Sequence, residues 1–152
     1  MRRSPPDGTR LVLELLKSRS ASPPASAALY LLNADGSGLH RLTPFRLAAG
    51  DHPDWSPDGG RILFRSHADV LAPGSRLYTV RPDGTGLKQL GRWGPGTTVL
   101  SASFSPDGKR ITIGLTGVGG RPDVFVMRSD GTGLRAITRT RAWDSAPDWG
   151  PG

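Results

Sequence analysis

The stretch Asp51-His52-Pro53-Asp54-Trp55-Ser56-Pro57-Asp58-Gly59-Gly60-Arg61-Ile62-Leu63-Phe64-Arg65 decides the fold. Pro57 presets φ for the first central turn position, Asp58 can bond its own backbone, and Gly59 accepts positive φ. Trp55 to Gly59 therefore reads as a tight turn between two strands. Ile62 and Phe64 supply the period-two pattern of the second strand. A close copy stands at Phe104-Ser105-Pro106-Asp107-Gly108, followed by Ile111 and Ile113. A looser copy is Ser4-Pro5-Pro6-Asp7-Gly8, followed by Leu11 and Leu13 on one face and Val12 and Glu14 on the other. A shorter one opens at Trp149-Gly150-Pro151-Gly152.

A second unit alternates with the first. The near-continuous apolar run 28–33, the turn Ala34-Asp35-Gly36-Ser37-Gly38 and the return 39–43 form a hairpin pattern. It recurs as Leu77 to Leu90 around Asp83-Gly84-Thr85-Gly86, and as Val124 to Thr138 around Asp130-Gly131-Thr132-Gly133. The interval from Asp35 to Asp83 is 48 residues and from Asp83 to Asp130 is 47, while Asp7, Asp58 and Asp107 are spaced by 51 and 49. Two different motifs interleaved at one period, with four short strands per period, indicate propeller blades or a related β array. The expected strands of the second unit are 51–55, 61–65, 76–81 and 87–90, and of the third 99–104, 110–115, 123–128 and 134–138. No stretch has a helical period. The chain is thus read as all-β, one repeat domain holding a partial propeller of about three four-stranded antiparallel blades. The first blade, 1–43, is incomplete; the second spans 51–90 and the third 98–138, and 144–152 matches the innermost strand of a further blade.

Composition agrees. The 152 residues include Gly 21 and Pro 14, placed periodically between short apolar runs, where low-complexity sequence would scatter them. The absence of cysteine excludes a disulfide framework and thiolate metal sites. The net charge of +7 rests mostly on arginine, since Lys17, Lys88 and Lys109 are the only lysines. The arginines are spread through every segment with no charged helix or aromatic-basic motif, so a solvated basic face is preferred to a nucleic-acid surface. The run Leu11-Val12-Leu13 is broken by Glu14 and Lys17, too short for a signal-peptide core or a membrane span. The chain as written carries no export signal, and its compartment is not legible.

Trp55-Ser56-Pro57-Asp58-Gly59-Gly60-Arg61-Ile62-Leu63-Phe64-Arg65, followed by Arg76 to Leu90, resembles the TolB-type β-propeller repeat, also called the WD-like or PD repeat. The resemblance covers nearly the whole chain. It implies that the strand ending in Trp55-Ser56-Pro57 is the innermost of a blade and that 87–90 is the rim. Family members carry six blades beside a separate N-terminal domain and act as periplasmic protein-binding scaffolds, or gate the hydrolase domain of a peptidase. A periplasmic or extracellular place is implied if the chain is part of a longer exported protein. Material for three blades, and no counterpart of the N-terminal domain, are the departures.

Candidate chemistry is sparse. Ser56 and Ser105 precede proline in repeated turns and lack the Gly-x-Ser-x-Gly of a hydrolase elbow, so both read as structural. His40, His52 and His67 share no ligand spacing. Asp51, His52 and Asp54 could approach the channel, but Leu100, Ser101 and Ser103 replace them in the next repeat, so no metal site is assigned. Asp35, Asp58, Asp83, Asp107 and Asp130 read as turn formers. Trp55, Phe104 and Trp149 read as wedges between blades. No catalytic residue and no cofactor is assigned. The expected role is a non-enzymatic protein-interaction scaffold, or part of a larger propeller, with an unidentified protein partner contacted through His52, Asp54, Trp93, Trp143 and Asp144. The alternative is the accessory or gating propeller of a hydrolase whose catalytic domain is absent from this chain. A head-to-tail homodimer, with 145–149 of each copy completing the first blade of the other, would make a six-bladed ring.

Overall fold

Short apolar runs punctuated by Asp-Gly and Pro-Asp-Gly turns can only fold back on themselves, and each run finds its sequence neighbour as its hydrogen-bonding partner. The computed structural model describes residues 7–16, 27–66, 74–94, 96–116, 121–140, 142–144 and 147–149. The opening 1–6, most of the Ser/Ala/Pro stretch (17–26), His67, residues 145 and 146, and Gly150 to Gly152 lie outside them, as do the side chains of Asp51 and His52. Among the described residues the strands are β1 (Arg10–Leu16), β2 (Ala27–Asn33), β3 (His40–Arg41), β4 (Ala49–Trp55), β5 (Ile62–Ser66), β6 (Arg76–Val80), β7 (Lys88–Leu90), β8 (Thr98–Phe104), β9 (Arg110–Thr116), β10 (Pro122–Arg128) and β11 (Arg135–Ala136). They form three antiparallel meanders, β1-β2-β3, β4-β5-β6-β7 and β8-β9-β10-β11. The chain is all-β, with one 3-10 turn at Phe45–Leu47 between the first two sheets.

The sheets stack face to face, and strand alternation builds the two cores between them. Val12, Leu29, Leu31 and Leu42 of the first sheet meet Ala49, Trp55, Ile62, Phe64 and Val80 of the second. Leu63, Leu77 and Leu90, from the opposite face of that second sheet, meet Val99, Phe104, Ile111, Ile113, Leu115 and Met127 of the third. Trp55 and Phe104 take the expected wedge positions. In β5, Ile62, Leu63 and Phe64 are all at most 1% exposed because successive side chains enter different cores.

Strand ends differ from the sequence expectation for identifiable reasons. The rim strands expected over 39–43 and 134–138 pair only at His40–Arg41 and Arg135–Ala136. Each is cut short by a threonine whose hydroxyl takes an amide of the neighbouring strand: Leu29 N–H donates to Thr43 Oγ1 at 2.9 Å and Val124 N–H to Thr138 Oγ1 at 3.0 Å. Gly91 holds that place in the second blade, and there pairing runs on to Leu77↔Leu90. The inner strands start earlier than expected and each contains a bulge, between Gly50 and Asp54 in β4 and between Val99 and Ser101 in β8. A bulge bends and twists the strand locally.

Polar links lock neighbouring sheets in register. Phe104 N–H donates to Asp54 Oδ2 at 2.8 Å. Arg65 Nη1 donates to Val99 O at 2.6 Å, where the β8 bulge begins. The Ser75 hydroxyl takes Val99 N–H at 2.7 Å and donates back to Val99 O at 3.1 Å. At the rim, Lys88 Nζ donates to Asp130 O at 3.1 Å.

Candidate partner-binding face

The antiparallel meander sorts the connections onto two faces. Turns 56–61, 81–87, 105–110 and 128–134 lie at one end of the strands. The links β5–β6, β7–β8 and β9–β10, with the segment after β11, lie at the other.

The turn face is built by its aspartates. In Asp83-Gly84-Thr85, the Asp83 carboxylate accepts the Thr85 hydroxyl at 2.7 Å and the Thr85 amide at 2.8 Å. Asp130 does the same with Thr132, at 2.7 and 2.8 Å, and Asp35 with Ser37, at 2.6 and 2.8 Å. In the Ser-Pro-Asp-Gly turns, Ser56 Oγ donates to Asp58 at 2.6 Å and accepts Arg61 N–H at 2.8 Å; Ser105 repeats this with Asp107 at 2.5 Å and Arg110 at 2.9 Å. Both serines are buried and committed to the turn, as the sequence implied. These bonds hold the carboxyls below their ordinary value. The hydroxyl of the neighbouring Ser or Thr acts first and a backbone amide second at Asp35, Asp58, Asp83, Asp107 and Asp130. At Asp7 the Thr9 amide acts first and its hydroxyl second. A carboxyl held low in the folded state adds stability above its ordinary value of 3.8, and loses it as pH falls through the folded value. The urea midpoint should be flat above about pH 5 and fall steadily below about pH 4. A midpoint unchanged at about pH 3 would remove the turn carboxylates as stabilising acceptors.

The residues expected to touch a partner divide, with Trp93, Trp143 and Asp144 at the opposite end and Asp54 at the turn end of β4. The backbone of His52 lies in the bulged part of β4. Asp54 is 5% exposed and its carboxylate is spent on the Phe104 amide, so it joins two sheets and is withdrawn from the surface. Trp93 is half-buried against the second core, and its Nε1 donates to Ser75 O at 3.0 Å. Its ring lies over Gly91, where any Cβ would collide with it. Trp143 is different: it is 65% exposed. Its loop is fixed on either side, since Thr140 Oγ1 donates to Asp144 Oδ2 at 2.8 Å and Asp144 N–H donates to Pro122 O at 3.2 Å. Asp144 is therefore half-buried and holds the loop that presents Trp143. The sequence did not single out Phe45, whose ring lies under the Arg41 guanidinium at 5.3 Å and is tilted against Tyr30 at 6.4 Å. Its 3-10 turn has no repeat copy to announce it.

Three stacked antiparallel meanders, the second and third with an innermost strand ending in an aromatic wedge, define a β-propeller segment. No family model matches the chain. The Tol-Pal system protein TolB of Anaeromyxobacter dehalogenans is 36% identical over 97 residues, covering 64% of this chain and 21% of the relative. Dipeptidyl-peptidase 5 of Porphyromonas endodontalis is 31% identical over 106 residues, covering 70% of this chain and 14% of the relative. The chain thus spans about a fifth or less of the length of these relatives. The crystal structure of TolB from Acinetobacter baumannii superimposes with a TM-score of 0.71 at 19% identity, covering 95% of this chain and 33% of that one. In sequence and in fold the chain is similar to TolB-type β-propeller repeat proteins.

Proposed function

We propose that the chain is a non-enzymatic protein-interaction scaffold, with a rigid sheet stack that presents its connection face to a protein partner. Trp143 carries this reading: a large aromatic side chain, 65% exposed, held on a hydrogen-bonded loop. Exposed aromatics on ordered loops are the usual anchors of protein interfaces, because they bury much area at little entropic cost. The expected contacts are Trp143 with Asp144 behind it, Trp93 at the edge of the patch, and the His52 segment. Similarity to a TolB protein supports a protein partner, and a place outside the cytoplasm belongs to the same proposal. Similarity to a dipeptidyl-peptidase supports the second reading, a propeller that covers a hydrolase domain encoded elsewhere. Both readings use the same face.

A photo-crosslinking residue at position 143 tests the proposal, with position 85 on the turn face as control. Protein adducts are expected at 143 and not at 85, and Trp143→Ala should lower partner affinity at least tenfold, the scale of an interface hot spot of about 2 kcal/mol. Equal labelling at the two positions would overturn the choice of face.

A further inference from the structure

The residue that leads into the Asp-Gly turn differs between the blades: it is Asn33 in the first, Arg81 in the second and Arg128 in the third. All three side chains brace their own turn. Asn33 Nδ2 donates to Ser37 Oγ at 2.9 Å, Arg81 Nη1 to Thr85 Oγ1 at 3.4 Å and Arg128 Nη1 to Thr132 Oγ1 at 3.4 Å. The same nitrogens lie over the second glycine of each turn, where a Cβ on Gly38, Gly86 or Gly133 would stand 2.9, 3.0 or 3.3 Å from them. Asparagine does this with a much smaller side chain than arginine.

Beside Asn33, at the turn face, a cleft of about 400 Å³ opens between the first and second sheets. Leu31, Leu32 and Pro82 give it an apolar lining, and Arg10, His40 and Arg81 line it too. These polar groups are held by contacts within the fold. The Arg10 guanidinium lies over the Trp55 ring at 5.3 Å. The His40 ring stands between Gly38 O, 2.9 Å from Nδ1, and Pro82 O, 3.4 Å from Nε2. Asp83 also lines the cleft, but its carboxylate is engaged by the Thr85 hydroxyl and amide at 2.7 and 2.8 Å. Two guanidiniums, each with five N–H donors, thus face one carboxylate that is committed to its own turn.

We propose that this cleft binds a small carboxylate with an apolar tail, the carboxylate on Arg10 and Arg81 and the tail on Leu31, Leu32 and Pro82. A guanidinium matches the planar two-oxygen geometry of a carboxylate, and cations already held in place lose little freedom when an anion arrives. The apolar lining selects a carboxylate with a tail over a bare oxyanion such as phosphate, which leaves those side chains in water. Asn33 makes the room: at the corresponding place in the next blade, Arg81 itself lies over Gly86.

The test is titration of the ¹⁵N-labelled full chain with hexanoate, followed by amide shifts, with hexanamide and inorganic phosphate as comparison probes at constant ionic strength. Shifts at Leu32, Gly38, His40 and Asp83 should saturate together with a Kd of about 1 mM, the scale of a ligand of so few atoms. Hexanamide keeps the tail without the charge, phosphate keeps the charge without the tail, and each should bind at least about tenfold more weakly. Asn33→Arg installs the residue that the other two blades carry, so it suits the turn. It should abolish saturable binding even though it adds a positive charge. Arg10→Gln and Arg81→Gln test the cations separately, and each should weaken binding about tenfold. Shifts that never saturate overturn the proposal, as does hexanamide or phosphate binding as tightly as hexanoate. So does undiminished binding by Asn33→Arg, which would mean diffuse surface charge, or an affinity that neither arginine substitution changes. The cleft lies at the opposite end of the strands from Trp143, so this proposal and the scaffold reading fail separately.

Discussion

Phe64→Ala is expected to cost about 3–5 kcal/mol of stability, the largest effect of any single truncation in the chain. Phe64 sits in the middle of β5, is 1% exposed, and stacks on Tyr78 with ring centroids 5.7 Å apart and planes inclined by 17°. It shares its core with Val12 and Leu29 of the first sheet. Truncation removes the transfer free energy of the ring and leaves a void between two sheets. Close-packed sheets relax only partly, so they cannot easily close over it. Leu134→Ala is the matched control: Leu134 is 37% exposed, and a surface change of that kind stays within about 0.5 kcal/mol. Urea midpoints for the two variants check the contrast. Similar midpoints would show that the space between the first two sheets is not a packed core.

Gly131→Val is expected to be nearly as severe, and its counterparts show why. Gly36, Gly84 and Gly131 hold the same place in three Asp-Gly turns, with φ of +88°, +81° and +93°. A β-branched residue there pays left-handed strain of about 1–2 kcal/mol at all three. The surroundings differ. A Cβ at Gly36 meets nothing within 4 Å, and at Gly84 it meets Leu42 O at 3.7 Å. At Gly131 it would lie 3.0 Å from Gly91 N and 3.2 Å from Leu90 Cα, the backbone of the neighbouring rim strand. Backbone cannot rotate away as a side chain can, so the third sheet must shift against the second. The expected order of loss is Gly36→Val, then Gly84→Val, then Gly131→Val, the last at about 3 kcal/mol or more. Equal losses at 36 and 131 would mean that local strain is the whole effect and that the sheets yield freely at this contact.

These two cases mark what the amino-acid order discloses. The repeat, the turn types and the alternating strands are legible because each rests on local chemistry: Gly84 needs positive φ, Pro57 presets a turn, and Ile62 and Phe64 keep a period of two. Wedge positions follow from the repeat itself. Strand ends are less legible, because Thr43 and Thr138 stop pairing through hydroxyls whose partners lie 14 residues away. The candidate site is legible in part. Trp143 and Trp93 read alike as loop aromatics, yet one is exposed and the other closes over Gly91. That difference depends on Ser75 supplying a carbonyl 18 residues distant. Asp54 read as a surface group because its partner, the amide of Phe104, lies 50 residues away. The recurrence of Pro-Asp-Trp was the available signal for a shared structural role.

The double-sided burial of β5 carries a consequence for how substitutions combine. Ile62 and Leu63 are adjacent in the chain yet belong to different cores, so their effects should be nearly additive. Leu63 and Ile111 are far apart in sequence yet share one core, so theirs should not be. Energetic communication in this molecule runs across sheets and not along strands. Each sheet answers chiefly to its immediate neighbours, in the manner of a one-dimensional chain of coupled units. The central sheet, with neighbours on both sides, is then the last to open, and disturbance at either end decays before it reaches the other.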